Sequence, residues 1–147
     1  MAPYYGCHIL RPSSALGFDD PERPTSLERL IEALGGEVVD YKGKTRCCGF
    51  QIVLVTPETA VDMIGMRIKE AKDAGGECMV SPWPLCHINL DSYQREVERR
   101  LHQRLSIPIL HLSQLVGLAL GMNAEELELS RHLVSADKVL EAAGLGV

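Results

Sequence analysis

The residues most able to do chemistry in this sequence are the two adjacent cysteines of Arg46-Cys47-Cys48-Gly49-Phe50. Neighbouring side chains diverge too strongly to close a relaxed disulfide, because disulfide geometry is narrow. Two thiolates on one short loop can instead face the same polynuclear metal centre. Gly49 would let the backbone approach that centre without a Cβ clash. The pair therefore predicts a metal-binding loop.

Three further cysteines, Cys7, Cys78 and Cys86, lie in segments that could converge on this pair. Our hypothesis is that the fold brings distant thiolates together around one iron–sulfur cluster. The alternative is a set of buried, inert cysteines, since free cysteine is among the most buried residue types. The sequence begins without the charged start and apolar stretch of a secretion signal. We therefore expect a cytoplasmic protein, whose thiols stay reduced and tend to be ligands or redox groups.

Composition and charge exclude several classes of function. The 147 residues fit one domain, and 46% apolar against 24% charged residues is ordinary for a protein with a substantial core. A formal net charge of −5 argues against nonspecific nucleic-acid binding, which requires a basic surface. The sequence has no apolar run of about 18 residues, so no membrane-spanning helix is predicted.

Hydrophobic periodicity and turn residues predict alternating strands and helices. The predicted strands are residues 2–6, 37–41, 77–81 and 107–111. The predicted helices are residues 25–34, 57–73, 89–105, 113–121 and 135–143, and residues 13–24 and 82–87 are predicted loops. This alternation is typical of parallel βαβ units. It predicts one α/β domain over residues 1–147, a three-layer α/β sandwich with a central, mostly parallel four-stranded sheet.

The predicted sheet also places most of the cysteines together. Ligands in open α/β sheets bind at the carboxyl ends of the strands. Cys7, the Cys47-Cys48 pair and Cys86 all fall at or just beyond such ends, whereas Cys78 is predicted within its strand. Cys7, Cys47, Cys48 and Cys86 are therefore expected at one edge of the sheet.

With these positions in place, the chain resembles the CCG domain of the B-type subunit of heterodisulfide reductase. The pattern of that family is one cysteine, then Cys-Cys-Gly after several tens of residues, then Cys-Pro-x-Cys after a similar gap. Here 39 residues separate Cys7 from Cys47, and the last element reads Trp83-Pro84-Leu85-Cys86. The segments 3–7, 108–121 and 132–134 also look like the carboxyl-terminal half of that protein, so the similarity covers nearly the whole chain.

The resemblance implies a noncubane [4Fe-4S] cluster held by five cysteine thiolates, in an oxidoreductase subunit that reduces or forms disulfides. It implies that residues 1–147 are one cysteine-rich domain, the carboxyl-terminal half of a two-domain subunit. The implied partners are an iron–sulfur electron-donor subunit, a flavin subunit, and a small-molecule or protein-bound disulfide or thiol substrate. Two clusters face each other across the substrate in this family, so an isolated domain would be catalytically incomplete.

One position departs from the family pattern, because Trp83 stands where the first cysteine of Cys-Pro-x-Cys is expected. The family ligands therefore carry over only to Cys7, Cys47, Cys48 and Cys86. Four thiolates suffice for a cubane [4Fe-4S] cluster, but not for the five-thiolate arrangement. The open alternatives are Cys78 as a fifth ligand, an altered or cubane cluster, a four-thiolate zinc site, or no metal. The corresponding alternative function is a non-catalytic structural or electron-relay domain.

Two histidines neighbour predicted ligands and are candidate catalytic residues. His87 and His8 could hydrogen-bond a cluster sulfur or relay a proton, since histidine titrates near neutrality. The alternative for His87 is a helix-start residue bonded to backbone. Arg46 could balance negative cluster charge or be a surface arginine, and His111 is interpreted as a core or loop histidine.

Overall fold

A parallel sheet of three strands organises the fold. The computed structural model describes residues 1–145, and its strands are β1 (Ala2–Pro3), β2 (Met79–Ser81) and β3 (Ile109–His111). They lie in the order β1-β2-β3, with Ala2 opposite Met79 and Met79 opposite Ile109. The prediction of an α/β fold with parallel strands is confirmed. The predicted four-stranded sheet is wrong, because only three strands form within residues 1–145.

The missing strand is the segment 37–41. It runs beside β1, where the Val39 amide donates to the Met1 carbonyl at 2.9 Å. The chain then turns into a short 3-10 helix at Lys42–Thr45, so the amides of Tyr5 and Gly6 both donate to the single carbonyl of Lys44, at 2.9 and 3.1 Å. The turn at Lys42–Thr45 therefore stops a regular ladder from forming. The three-layer sandwich stays a prediction.

Most of the predicted helices are present. Their bounds are α1 (Ser13–Leu16), α2 (Ser26–Ala33), α3 (Pro57–Asp73), α4 (Pro84–Ser92), α5 (Gln94–Leu101), α6 (Leu112–Ala119) and α7 (Asp137–Ala142). Two more short 3-10 helices cover Phe50–Ile52 and Leu129–Arg131. The predicted helices 25–34, 57–73, 113–121 and 135–143 are confirmed, and the predicted loop 13–24 contains α1.

The predicted helix 89–105 is present as two shorter helices, and the predicted loop 82–87 is wrong from Pro84 onwards. Proline is favoured at the first helical position, and α4 already begins at Pro84. The helix then breaks at Tyr93, whose backbone angles of −97° and 2° depart from helical values, and α5 follows. Cys86 consequently lies in the first turn of a helix instead of a loop.

The strands contribute alternate residues to two hydrophobic clusters, as the pleat of a sheet requires. The first cluster, which we call the proximal core, contains Met79 and Ile109 of the sheet, together with Val61, Ile64 and Ile68 of α3, Leu90 of α4 and Val97 of α5. The second cluster, which we call the distal core, contains Val80 and Leu110 of the sheet, together with Leu27 and Ile31 of α2, Leu115 and Leu118 of α6 and Leu140 of α7. Each fully buried aliphatic side chain stabilises the fold by about 1.5–3 kcal/mol.

The helices of the described chain are short relative to a bilayer. None within residues 1–145 combines the length and the apolar character that crossing a membrane requires.

Candidate metal centre

Two cysteines meet where the Cys-Cys-Gly loop packs against the start of α4. Cys48 and Cys86 are 38 residues apart in sequence, and their sulfurs are 3.4 Å apart. Only 3% of Cys48 and 5% of Cys86 is exposed, and both belong to the proximal core. Their thiols are free, so the contact is a hydrogen bond and not a disulfide.

Cys7 and Cys47 form the accessible part of the same group. Both are half-buried, and the Cys47 sulfur accepts a hydrogen bond from the Gly49 amide at 3.3 Å. Burial, and next the neighbouring Cys47 thiol, raise the pKa of Cys7. Both cysteines line a cavity of about 850 Å³. These two thiols therefore face a space that can admit a small molecule.

The four thiols influence one another electrostatically. The hydrogen bond from Cys86 lowers the pKa of Cys48 below its ordinary value, and the same bond raises the pKa of Cys86. Negative charge on Cys48, Cys7 and Cys47 raises the pKa of Cys86 further. The structure thus brings together the four cysteines that the sequence predicted at one edge of the sheet.

Cys78 lies elsewhere. It precedes β2, is 1% exposed, and packs in the distal core with Val80 and Leu110. Burial raises the pKa of its thiol to about 11. Cys78 therefore sits away from the other thiols, as an inert core residue.

The backbone approaches a thiol at Gly6. This glycine has a φ of +69°, and a Cβ built on it would lie 2.9 Å from the Cys86 sulfur. Gly49 also has a positive φ, of +85°, but a Cβ there would meet the Ala60 backbone of α3 at 3.2 Å. The predicted reason for Gly49 was therefore wrong: its missing side chain accommodates α3, and Gly6 accommodates the thiol.

Asn89 holds the Cys-Cys-Gly loop against α4, and sequence reasoning did not single it out. Its buried side-chain amide donates to the Cys48 carbonyl at 2.8 Å. Tyr4 assists from the end of β1, since its hydroxyl donates to the Arg46 carbonyl at 2.8 Å. A signal for Asn89 was present in the sequence, because it follows Cys86 by three residues and so shares its helix face.

Trp83 and His8 lie side by side near the thiols. Their ring centroids are 4.7 Å apart, and Trp83 packs against the proximal core that holds Cys48 and Cys86. His8 itself is exposed.

His87 faces a different part of the molecule. Its Nε2 donates to the Ile109 carbonyl at 3.0 Å, and burial lowers the pKa of its ring. It lines a second cavity, of about 830 Å³, together with His111 and His132. Neither His87 nor His8 lines the cavity of Cys7 and Cys47. A proton-relay role for either histidine stays a prediction.

Positively charged side chains outnumber carboxylates in the lining of the cavity at Cys7 and Cys47. Its charged lining residues are Arg11, Arg23, Lys42, Lys44, Arg46, Glu22, Glu28 and Asp40. Glu22 is 2.6 Å from Arg11, and Lys44 lies 2.7 Å from Glu28 and 2.8 Å from Asp40.

The other positively charged side chains of this cavity form no ion pair within the described part of the chain. Within residues 1–145, Arg23, Lys42 and Arg46 have no carboxylate within ion-pair distance. All three are exposed. The cavity is therefore locally positive although the chain as a whole carries a net charge of −5.

The chemistry of the donor set decides which metal group it fits. Among the described residues, no three Cys, His, Asp or Glu side chains are arranged to hold a single metal ion. Four thiols within mutual electrostatic range, two of them in an apolar core, nevertheless match the all-sulfur ligation of an iron–sulfur cluster. The residues fit a polynuclear cluster better than a preformed zinc site.

The fold and this site define a cysteine-rich α/β domain. A family model of the cysteine-rich domain (CCG) matches residues 1–91. The chain belongs to this family. The predicted resemblance to the CCG domain of the B-type subunit of heterodisulfide reductase is thereby confirmed.

Several curated proteins are similar over most of the chain. The 8-methylmenaquinol:fumarate reductase membrane anchor subunit of Wolinella succinogenes is 42% identical over 139 residues, which are 95% of this chain and 49% of that protein. The B-type subunit of the ferredoxin/F420H2-dependent CoB-CoM heterodisulfide reductase of Methanosarcina acetivorans is 35% identical over 91% of this chain and 45% of its own. A protein of Archaeoglobus profundus, named as like the B-type subunit of heterodisulfide reductase, is 32% identical over 82% of this chain and 42% of its own.

Two of these relatives are named as subunits of reductases and the third as like one, and the chain spans about half of their length. These similarities establish the family of the chain. They do not establish that a chain of half the length has the activity of the full-length relatives. The predicted cytoplasmic location stays a prediction, since one relative is named a membrane anchor subunit.

Proposed function

We propose that this chain is an iron–sulfur oxidoreductase module of the kind found in the B-type subunit of heterodisulfide reductase. Cys7, Cys47, Cys48 and Cys86 would hold a [4Fe-4S] cluster. The observation that carries this proposal is the convergence of thiols from three separate segments, with the Cys48 and Cys86 sulfurs 3.4 Å apart. When bound, such a cluster supplies electrons one at a time.

The reaction would convert a disulfide into two thiols, using two electrons and two protons. The electrons would come from a partner iron–sulfur subunit, itself served by a flavin subunit. The relatives named as reductase subunits support such a multisubunit arrangement. The length of those relatives supports the proposal that this domain, residues 1–147, is half of a two-domain subunit.

The chain's own residues would admit and orient the substrate. Cys7 and Cys47 face the cavity of about 850 Å³, whose size suits one small molecule. The unpaired side chains of Arg23, Lys42 and Arg46 would attract and orient an anionic group on that molecule. The substrate is therefore proposed to be a small acidic disulfide or thiol.

The direct test is metal content. Protein produced and purified without oxygen is assayed for iron, acid-labile sulfide and zinc, and compared with Cys47→Ser. We expect about four irons and four sulfides per chain for a [4Fe-4S] cluster, and their loss in Cys47→Ser. Cys78→Ser is the matched control, because Cys78 lies in the distal core, and it should retain its iron. A native protein without iron and sulfide would contradict the proposal.

A second candidate is a non-catalytic electron-relay or structural metal domain, which Trp83 favours. This residue stands where the family pattern has a cysteine, and beside His8 it would restrict access to the thiols. The relative that is named an anchor subunit is consistent with a role other than disulfide reduction. Zinc in place of a cluster belongs to this candidate.

Trp83→Cys separates the two candidates. For the disulfide reductase, the native protein should give an unusual electron paramagnetic resonance signal when a thiol is added under oxidising conditions. For the relay or structural domain, that signal should be absent from the native protein and arise only in Trp83→Cys. One zinc per chain without sulfide would identify the structural form.

A further inference from the structure

The sulfurs of Cys48 and Cys86 are close enough to bond to each other. As free thiols they lie 3.4 Å apart, and a disulfide requires about 2.05 Å, so the two sulfurs must approach by about 1.4 Å. Cys86 is fixed in the first turn of α4, and Cys48 lies on the Cys-Cys-Gly loop. The Asn89 side chain of α4 donates to the Cys48 carbonyl, so the fold itself holds the two residues side by side.

Other pairings of the cysteines are less suited to a disulfide. Cys47 and Cys48 are adjacent in sequence, and neighbouring side chains diverge too strongly for a relaxed bond. The Cys47 sulfur is engaged by its own loop, since it donates to the Gln51 side-chain oxygen at 3.6 Å and accepts from the Gly49 amide at 3.3 Å. Cys78 packs in the distal core, away from the other thiols.

A small oxidant has an indirect route to the buried pair. Cys48 and Cys86 are almost completely buried, so a small molecule does not meet them directly. Cys7 is half-buried and lines the cavity of about 850 Å³. It follows Gly6, where a Cβ would lie 2.9 Å from the Cys86 sulfur, and its thiol is within electrostatic range of Cys48. A disulfide formed at Cys7 can therefore be passed inward by exchange.

The cavity also favours one class of oxidant. Positively charged side chains outnumber carboxylates in its lining, and such a surface attracts anions. Its volume suits a molecule of the size of a small peptide disulfide. A small acidic disulfide is therefore the reactant that this entrance favours.

We propose that the metal-free chain reduces a small acidic disulfide with its own thiols and thereby closes a disulfide between Cys48 and Cys86. The Cys7 sulfur attacks the small disulfide, whose S–S bond breaks, and the first small thiol leaves with the Cys7 proton. Cys48 then attacks the Cys7 sulfur, and the second small thiol leaves with the Cys48 proton. Finally Cys86 attacks Cys48, and its proton restores the Cys7 thiol. Overall, two electrons and two protons pass from Cys48 and Cys86 to the small disulfide.

The new bond acts as a redox switch on the site. Both of its sulfurs lie in the proximal core, where reductants have little access, so the bond persists once it has closed. Closing the bond does not require a cluster. It consumes two of the four cysteines proposed to hold one, so the bond and the cluster exclude each other, and this consequence rests on the proposed function.

The release of glutathione tests the proposal. Reduced, metal-free full chain is mixed with one equivalent of glutathione disulfide without oxygen, then unfolded and treated with N-ethylmaleimide to label the remaining thiols. We expect about two glutathione molecules to be released per chain and no glutathione to stay on the protein. Three of the five cysteines should be labelled. A chain that stays fully reduced, or that keeps a glutathione adduct in place of an internal bond, would overturn the proposal.

Digestion without a reductant locates the bond. Trypsin leaves Cys47 and Cys48 on one peptide and Cys78 and Cys86 on another, and these two peptides should be found linked. The link should be lost in Cys48→Ser and retained in Cys78→Ser, the control in the distal core. A link that survives in Cys48→Ser, or that is lost in Cys78→Ser, would assign the bond to other cysteines and overturn the proposal.

The native chain decides the question even if a variant fails to fold. Fragmentation spectra of its linked peptides should place the bond on Cys48 and Cys86, and a bond on Cys47 or Cys78 would overturn the proposal. Failure of the proposed function would look different. A native protein without iron and sulfide would contradict the cluster and leave the glutathione assay on metal-free chain unchanged.

Discussion

The α-carbon of Gly6 lies against the sulfur of Cys86, so that a Cβ on Gly6 would be only 2.9 Å from it. Gly6 also has a φ of +69°, which residues other than glycine adopt at a cost of about 1–2 kcal/mol. The backbone after β1 therefore closes one side of the thiol group. This contact links a residue just beyond the first strand to the first turn of α4.

Gly6→Ala should accordingly displace the Cys86 thiol and lower the iron content to less than about half. The free energy of unfolding should fall by about 1–2 kcal/mol from the φ alone. Gly35→Ala is the matched control, because Gly35 has a φ of +87° with no atom within 4 Å of a Cβ. It should lose similar stability and keep its iron, as measured by urea unfolding and iron assay. Full iron occupancy in Gly6→Ala would show that the contact is unimportant.

Asn89→Ala should loosen the Cys-Cys-Gly loop. It removes the donor to the Cys48 carbonyl and leaves that buried group unsatisfied, which costs about 1–3 kcal/mol. We expect both a lower free energy of unfolding and a lower iron content. Gln94→Ala is the comparison, since the buried Gln94 side chain bonds the Ile107 carbonyl at 2.7 Å instead of the thiol loop. It should lose stability without losing iron, and equal iron loss in the two variants would refute a specific role for Asn89.

The positive cavity should govern which disulfides reach Cys7 and Cys47. In metal-free reduced protein at low salt, Lys42→Gln and Arg46→Gln should each slow the reaction with dianionic dithiobis(nitrobenzoate) about threefold and speed the reaction with dicationic cystamine. Stopped-flow absorbance and mass spectrometry measure the two rates. Arg29→Gln, an exposed arginine outside the cavity, should change neither rate. A uniform effect on both disulfides would mean that charge is not the cause.

Trp83→Ala should expose the buried thiols. In metal-free protein, alkylation of Cys48 and Cys86 by iodoacetamide should become about tenfold faster once the indole is removed. Peptide mass spectrometry separates the cysteines, and Cys78 in the distal core serves as the internal reference. If Cys78 reacts faster by the same factor, the substitution has loosened the whole fold and the proposed cover is wrong.

Local patterns in the sequence were enough for the fold class and for most helices. The helix at Pro57–Asp73 was predicted because its proline start, apolar face and glycine stop are all local signals. The grouping of four cysteines was also predictable, because parallel strands place their carboxyl ends at one edge. Cys78 was predicted within its strand, but it lies one residue before β2 and packs in the distal core.

Other features depend on contacts between distant segments. Residues 37–41 have the composition of a strand, but only the fold shows that the turn at Lys42–Thr45 stops them from pairing regularly with β1. Both Gly6 and Gly49 precede or follow a cysteine in sequence, and only the packing shows which one faces a thiol. The contact of Asn89 with the Cys48 carbonyl crosses 41 residues.

The sequence by itself determined that this is a parallel α/β protein with one cysteine-rich edge, because strand and helix periodicity and residue type are properties of short segments. Only the tertiary structure decided which backbone groups enclose the thiols and which side chains line each cavity. Those outcomes depend on distances of a few ångströms between residues far apart in the chain, and no local pattern encodes them.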